Sequence, residues 1–298
     1  MKYIVTHPGK AHRDDMLSVA VLTCVYSNAP VYRRRPTEAD LDDKEVIVVD
    51  CGGRYEPELH NFDHHQLPDH AAMCTLSLIL NWIGVYDAAH ALPWLRTLEL
   101  MDTAGPAAVE EYYGASSFRE QILPLMASPA DEFLISEFSR VDEVPAVTSA
   151  GARGDDLRYH GDNLRAALAG VGRHIVDELL RMTNQLEVLN ERAVLKEAHG
   201  LLVLDLTEIR QPVIGSALRH WLAQRKARPD AVLLRDPSST HRRIIRKETD
   251  KVDLHQLSDL KRVVVKIHEA GAWARVRAHA NIWRVLKRAV SRRVLCHA

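Results

Sequence analysis

Short apolar runs and longer mixed segments alternate through the first hundred residues. YIVTH (3–7) is β-rich and stops at a histidine. DDMLSVAVLTCVYSN (14–28) follows, with Asp14 or Asp15 able to cap a helix and apolar side chains filling most of the rest. APVYRRRP (29–36) predicts a second strand. EVIVVDCGG (45–53) is a continuous apolar run ending in Asp-x-Gly-Gly. A strand without polar alternation is buried on both faces, as in a parallel sheet. The glycines after it allow a tight turn. TLSLILNWIGVYDA (75–88) and ALPWLRTLELMDTAG (91–105) predict two more helices. Strands alternating with helices indicate an α/β domain on a parallel sheet, with helices on both faces.

Further along, DNLRAALAGVGRHIVDELLRMTNQLEVLNERAVLKEAHG (162–200) reads as a long connecting helix, with an interruption expected near Gly170 and Gly172. GLLVLDL (200–206) opens a new strand. PDAVLLRDPSSTHRRIIRKE (229–248) reads as strand, turn and strand. The expected division is a first domain over 1–199, ending in the long helix, and a smaller α/β domain over 200–298.

Charge sharpens that division. Residues 1–200 carry 18 Lys+Arg and 31 Asp+Glu, net −13, whereas residues 201–298 carry 21 and 9, net +12. Carboxylates attract metal cations, and a basic partner attracts polyanions. Hydrophobic residues make up 46% and charged residues 27%, which is ordinary globular composition and excludes a disordered or fibrous chain. No run of about 18 apolar residues marks a membrane span. MKYIVTHPGK turns polar after three apolar residues, too early for an export signal. Cys24, Cys51, Cys74 and Cys296 show no C-x-x-C spacing, which points to reduced thiols rather than a cysteine zinc site. The expectation is a cytoplasmic protein.

The chemistry concentrates in two stretches, THPGKAHRDD (6–15) and HNFDHHQLPDH (60–70). His7, His12 and Asp14 lie on one strand-to-helix turn, Asp50 ends a buried strand, and Asp63, His64 and His65 form a triplet. Open α/β sheets put their sites at such strand ends. Imidazoles and carboxylates packed together repel and desolvate one another unless a cation lies between them. The mixture suits manganese, iron, cobalt or zinc better than magnesium or calcium, which prefer all-oxygen shells. One tetrahedral ion leaves ligands over; two ions about 4 Å apart, sharing a bridging carboxylate, would use them and generate hydroxide near neutral pH. His60 and His70 flank the triplet as weaker candidates. Arg33, Arg34 and Arg35 could reach a phosphate, but three arginines before a proline read as a solvated edge.

Taken together, THPGKAHRDD and VVDCGGRYEPELHNFDHHQ (48–66) resemble the DHH phosphoesterase superfamily (RecJ-like). Within it they are most similar to the melanocyte-proliferating-gene-1 exonuclease branch, whose pattern is His-x-Gly-x-x-His-x-Asp, then Val-Val-Asp-x-Gly-Gly, then Asp-His-His-Gln. The resemblance runs over roughly residues 3–105 and is faint beyond 200. It implies two divalent ions, manganese foremost, with magnesium, cobalt or zinc as alternatives. His7 and His12 would hold one ion, Asp14 and His64 the other, and Asp50 would bridge them. The superfamily's fourth motif is an aspartate ending a helix. Asp102 in LELMDTAG matches it best, and Glu99 is expected to be solvated. Asp63 would orient the histidines, and His65 would contact the substrate phosphate. The chain departs from the branch at Ala11, where an aromatic is common, and at Asp15, where glutamate is.

In the basic half, RecJ-type relatives carry a glycine- and histidine-containing substrate motif, to which HEAGAWARVR is the nearest analogue. It offers His268 and Arg275, with Trp273 able to stack a base. Arg242, Arg243 and Arg246 in THRRIIRKE complete the expected substrate-binding set.

The function implied is a metal-dependent phosphodiesterase of the exonuclease type, cleaving short oligonucleotides or nucleotides by metal-activated hydroxide. The alternatives are a hydrolase of small phosphoanhydrides or cyclic dinucleotides, and a non-catalytic metal- or nucleic-acid-binding regulator. The partner expected is a short nucleic acid or nucleotide, with no membrane; a homodimer is left open.

Overall fold

A computed structural model describes residues 1–68, 73–117, 129–145, 156–236, 239–247 and 250–290. It divides into two compact units, Met1–Arg181 and Met182–Ala298. Among the described residues no helix is long and apolar enough to cross a membrane.

The first unit is built on six strands: Tyr3–Thr6 (β1), Val31–Arg33 (β2), Val46–Val49 (β3), Tyr55–Glu56 (β4), Asn61–Phe62 (β5) and Glu143–Val144 (β6). Their order is β4-β5-β3-β1-β2-β6. The inner four run parallel, and each edge strand pairs antiparallel. The sequence VIVV of β3 is wholly buried, as its unbroken apolar run predicts. The Arg13–Val25 helix carries the chain from β1 to β2, and the short Glu38–Asp42 helix carries it back past β1 to β3. Both crossovers obey right-handedness only if these helices take opposite faces of the sheet. Leu41 packs on Val5, Val46 and Val48 of one face. Strand order reverses at β1, so the crevice at its carboxyl end is the place where such a sheet binds ligands. Gly52 sits at φ 97°, and a Cβ there would stand 2.8 Å from Leu41 Cδ2, so the Gly-Gly pair serves the turn.

The helices differ from the sequence reading in several places. The segment 75–88 is two helices, Thr75–Trp82 and Tyr86–Ala89. Pro93–Tyr113 kinks at Gly105 (φ 77°), with Pro106 opening its second part and Asp102 in the last turn of the first. Asp156–Arg192 runs through Gly170 and Gly172 without the expected interruption. A Cβ on Gly172 would stand 1.9 Å from the Ala20 carbonyl oxygen. That glycine lets the long helix lie against the Arg13–Val25 helix.

The long helix also ends sooner than its periodicity implies. Val194–Ala198 is a strand (β7), turned onto Leu201–Leu206 (β8) by His199 and Gly200 at φ 56° and 72°. Two central residues with positive φ give a type I′ hairpin. The second sheet continues with Ala231–Arg235 (β9), Arg242–Arg246 (β10), Val264–Ile267 (β11) and Trp273–Val276 (β12), in the order β11-β12-β10-β9-β8-β7. Only β8 and β9 pair parallel, joined through the Gly215–Gln224 helix. One face buries Leu201, Val203, Leu233, Ile244, Ala274 and Val276 under the Ile282–Ala289 helix. Both units are therefore α/β, as the alternation of patterns predicts.

Candidate metal centre

The carboxyl ends of three parallel strands deliver the site. His7 follows β1, Asp50 follows β3, and Asp63, His64 and His65 follow β5. Three groups place ligand atoms within 4.8 Å of one another: His7, His12 and Asp50; Asp50, His64 and His65; and Asp14, His64 and Asp102. Asp50 belongs to two of these groups. Its backbone lies at φ 57°, a conformation uncommon for any residue with a side chain. Its Oδ2 is 3.6 Å from His7 Nε2, and its Oδ1 is 3.3 Å from His64 Nε2. The same Oδ1 accepts a hydrogen bond from the Thr75 hydroxyl at 3.1 Å.

Local backbone fixes the remaining donors. The His7 Nδ1 meets the Pro8 carbonyl at 3.0 Å, so that nitrogen carries the proton and Nε2 turns to the site. His12 caps the Arg13–Val25 helix, and its ring lies 5.3 Å from that of His7. Asp14 is fully buried, and its two oxygens accept the amides of Thr75 and Leu76 at 2.8 and 2.9 Å. Those amides are free because they open the Thr75–Trp82 helix. His64 Nε2 is 3.0 Å from Asp102 Oδ2. Apart from these close imidazole–carboxylate contacts, buried His7 Nε2 and Asp102 Oδ2 have no hydrogen-bond partner among the described residues. Polar atoms left so in a buried cluster of carboxylates and imidazoles fit a divalent cation as their missing partner.

The electrostatics agree. Burial pushes the Asp14 carboxyl well above its ordinary range, and the carboxylates of Asp102 and Asp50 add to the shift. The Asp15 carboxylate holds the His7 imidazole up at about 9 against its own desolvation. Burial opposes the charged form of His64, but Asp102, Asp50 and Asp14 raise it to about 10. The cluster thus demands positive charge, which protons or a divalent cation can supply.

Asp63 stands behind the triplet. It accepts the amides of Gly53 (2.7 Å) and His65 (3.0 Å), and the His65 Nδ1 at 2.7 Å. Burial opposes its ionisation, yet those donors hold its carboxyl below the ordinary value. The hydrogen bond occupies Nδ1 and leaves Nε2 of the exposed His65 ring for a further partner. Of the two histidines, Asp63 therefore orients His65 alone.

Other candidates take other roles. His60 binds the Lys44 carbonyl at 2.7 Å and stacks edge-on against Trp82. His70 lies outside the described residues. Glu99 is fully buried rather than solvated, and accepts from Ser77, Tyr86 and Arg96. Arg33 is buried too, because β2 alternates and Arg33 shares the inward face with Val31. Arg34 pairs with Asp40 at 2.7 Å. Arg35 lines a cleft with His7, Pro36, Glu38 and Gly52. Sequence reasoning overlooked Thr75 and the partnership of Asp15 with Arg33. The second aspartate of HRDD and the period-two position of Arg33 were the available signals.

In the second unit, Arg243 and Arg275 face each other across β10 and β12. Both reach the buried carboxylate of Asp236, Arg243 at 3.0 Å. Trp273 lies beneath them, with the Arg243 guanidinium 5.1 Å and Lys266 5.9 Å from its ring. His268 stacks against the same ring at 5.6 Å. Arg246 bonds the Ala270 carbonyl at 3.3 Å, and Arg242 is half-buried opposite Val276. Arg243, His268 and Arg275 therefore gather around one indole, with both arginines tied to an internal carboxylate, whereas Arg242 and Arg246 alternate onto the opposite face of β10, the face that carries Ile244.

Residues 3–75 match an uncharacterised protein family, MYG1_exonuc (UPF0160). MYG1 exonuclease of Mus musculus is 45% identical over 67 residues, 21% of this chain and 17% of that protein. The Homo sapiens MYG1 exonuclease is 41% identical over 78 residues, 25% of this chain and 20% of that protein. The matched stretch thus spans about a fifth of the length of those relatives. Among solved structures, the pGpG-specific phosphodiesterase PggH from Vibrio cholerae aligns over 93% of both chains at 14% identity and a TM-score of 0.29. RecJ in complex with Mn2+ from Thermus thermophilus aligns over 97% of this chain and 52% of that one, at 14% identity and a TM-score of 0.26. The resemblance read from HPGKAHRD, VVDCGG and DHHQ is shown for residues 3–75. Asp102 lies beyond that stretch and joins the site by geometry.

Proposed function

We propose that this chain is a two-metal phosphodiesterase of the exonuclease type, acting on short oligonucleotides or nucleotides. The observation that carries the reading is the position of Asp50 at the carboxyl end of β3, grouped with His7 and His12 on one side and with His64 on the other. His7, His12 and Asp50 would hold one ion. Asp14, His64 and Asp102 would hold the other, and Asp50, whose Oδ1 lies 3.3 Å from the His64 Nε2 of that group, would serve both. The first set is nitrogen-rich and the second oxygen-rich, a combination that manganese satisfies in both. Bound ions would polarise a phosphoryl oxygen and supply a nucleophile at neutral pH.

The chain's own residues prepare that chemistry. The Pro8 carbonyl fixes the His7 ring, and the amides of Thr75 and Leu76 fix the Asp14 carboxylate. Asp63 holds His65 through Nδ1 and turns Nε2 outward, where with protons on both ring nitrogens it can donate to a non-bridging phosphate oxygen. Arg243, His268 and Arg275 around Trp273 would take a phosphate and stack a base, with Arg242 and Arg246 of the same strand as further candidates for the phosphate backbone. The similarity to MYG1 exonuclease, 45% identity over 67 residues, supports a nuclease over other phosphohydrolases.

The test is a panel of short RNA, short DNA, cyclic dinucleotides and pyrophosphate with the purified chain, with Mn2+ and with a chelator. Oligonucleotide hydrolysis that needs the metal is the expected result. Turnover confined to pyrophosphate or cyclic dinucleotides would move the substrate to a small anion. Metal binding without turnover on any of them would make the protein a regulator.

A further inference from the structure

We propose that Arg33, acting through Asp15, is a positioning residue for the imidazole pair His7 and His12. The inference rests on the two-ion reading, and concerns only the position held by that pair.

Asp15 is fully buried and directed at the turn that carries both imidazoles. Its Oδ1 accepts the His12 backbone amide at 2.6 Å. Its Oδ2 lies 3.2 Å from His7 Nε2 and 3.8 Å from Arg33 Nη2, yet has no hydrogen-bond partner among the described residues. Arg33 is itself 3% exposed. It is anchored elsewhere: Nη1 donates to the Phe138 carbonyl at 2.9 Å, the guanidinium lies 4.7 Å from the Phe138 ring, and its backbone amide donates to the Asp142 carbonyl at 2.8 Å. A buried cation and a buried carboxylate each cost several kcal/mol in desolvation, and a pair 3.8 Å apart without hydrogen bonds offsets little of it. The geometry makes sense as a strut. Strand β2 and the Pro129–Ser139 helix fix Arg33, Arg33 opposes the charge on Asp15, and Asp15 ties down the His12 amide and borders the His7 donor. None of these interactions reaches Asp14, His64 or Asp102. The strut therefore acts on one metal position and leaves its neighbour alone.

Mn2+ titration of the full chain, read by calorimetry and by the electron paramagnetic resonance of free Mn2+, tests this without any activity measurement. Arg33→Met should leave one ion at wild-type affinity and weaken the other at least about tenfold, within the range that removing a support behind a metal ligand produces. Asp15→Asn should give the same selective loss, because its amide would turn an N–H toward His7 Nε2 or surrender the His12 amide. Arg33→Lys keeps a cation without the anchored fork, should fall between, and carries the same test if the methionine variant does not fold. If Arg33 acted by charge alone, its removal would tighten binding of a divalent cation, and that result overturns the proposal. Equal weakening of both ions, or unchanged binding, overturns it as well. A wild-type chain binding fewer than two ions would fail the two-ion reading and this proposal with it, and is recognised before any variant is made.

Discussion

Asp50 faces His64 with one carboxylate oxygen, 3.3 Å from Nε2, and turns the other toward His7. A carboxylate placed between two imidazoles in this way can join two cations through one side chain. Asparagine keeps the shape, tolerates the positive φ of this position and can still accept from Thr75, but loses the charge. Asp50→Asn is therefore expected to fold with a melting temperature close to wild type and to lose metal-dependent hydrolysis by more than about 100-fold, since even groups that merely support metal ligands cost tenfold to 100-fold when removed. Hydrolysis within about threefold of wild type would sink the bridging role.

Proton and metal compete for the same imidazoles. In the metal-free chain the pKa of His7 is raised to about 9 and that of His64 to about 10, from an ordinary value near 6.5. Their raised values stabilise the fold fully below about pH 6.5, and that contribution disappears as the pH rises through 9 to 10. A divalent cation must displace those protons, so its binding tightens over the same interval. The rise in melting temperature caused by Mn2+ should accordingly grow from about pH 6 to about pH 8.5. A shift that stays constant or shrinks would show that these imidazoles are not ligands.

Much of this arrangement was legible in the chain because strong local patterns coincide with the fold. VIVV is apolar throughout because β3 is covered on both faces, and Asp50 stands out because it ends that run. His7, Asp14 and His64 were readable for the same reason. Arg33 and Glu99 were misread, since a charged residue looks solvated until its partners, Asp15 and Phe138 or Ser77 and Tyr86, arrive from distant segments. The hairpin at His199 and Gly200 was hidden by apolar spacing in NERAVLKEA that continues the helical period. Only the turn residues distinguish the two.

Gly170 and Gly172 separate propensity from packing within one helix. A Cβ on Gly170 meets nothing within 4 Å, whereas one on Gly172 would overlap the Ala20 carbonyl. Gly170→Ala should stabilise the chain by about 0.5–1 kcal/mol through helix propensity. Gly172→Ala should destabilise it by about 3 kcal/mol, since the two backbones must separate. Chemical denaturation of the two variants measures both. Equal effects of one sign would mean that the long helix does not lie against Arg13–Val25 as described.

The basic sheet of the second unit yields the last expectation. Arg243 and Arg275 are bound to Asp236, and reversing the charge of either would set two carboxylates together in a buried position. Arg242 and Arg246 are not tied to that carboxylate and make the cleaner test. If they hold a phosphate backbone, Arg242→Glu with Arg246→Glu should raise KM for oligonucleotides. It should also flatten the salt dependence of binding by roughly 0.7 in log–log slope for each phosphate no longer held, because fewer counterions are released from a single strand. A small chromogenic phosphodiester, too short to reach beyond the metals, should keep its kcat and KM. His64→Ala should abolish turnover of both substrates, because it alters the shared chemical step. The measurement is kcat and KM for both substrates at two salt concentrations. An equal loss on both from the arginine changes would mean that this sheet supports the fold rather than the substrate, and that the charge contrast between the halves of the chain serves something other than polyanion capture.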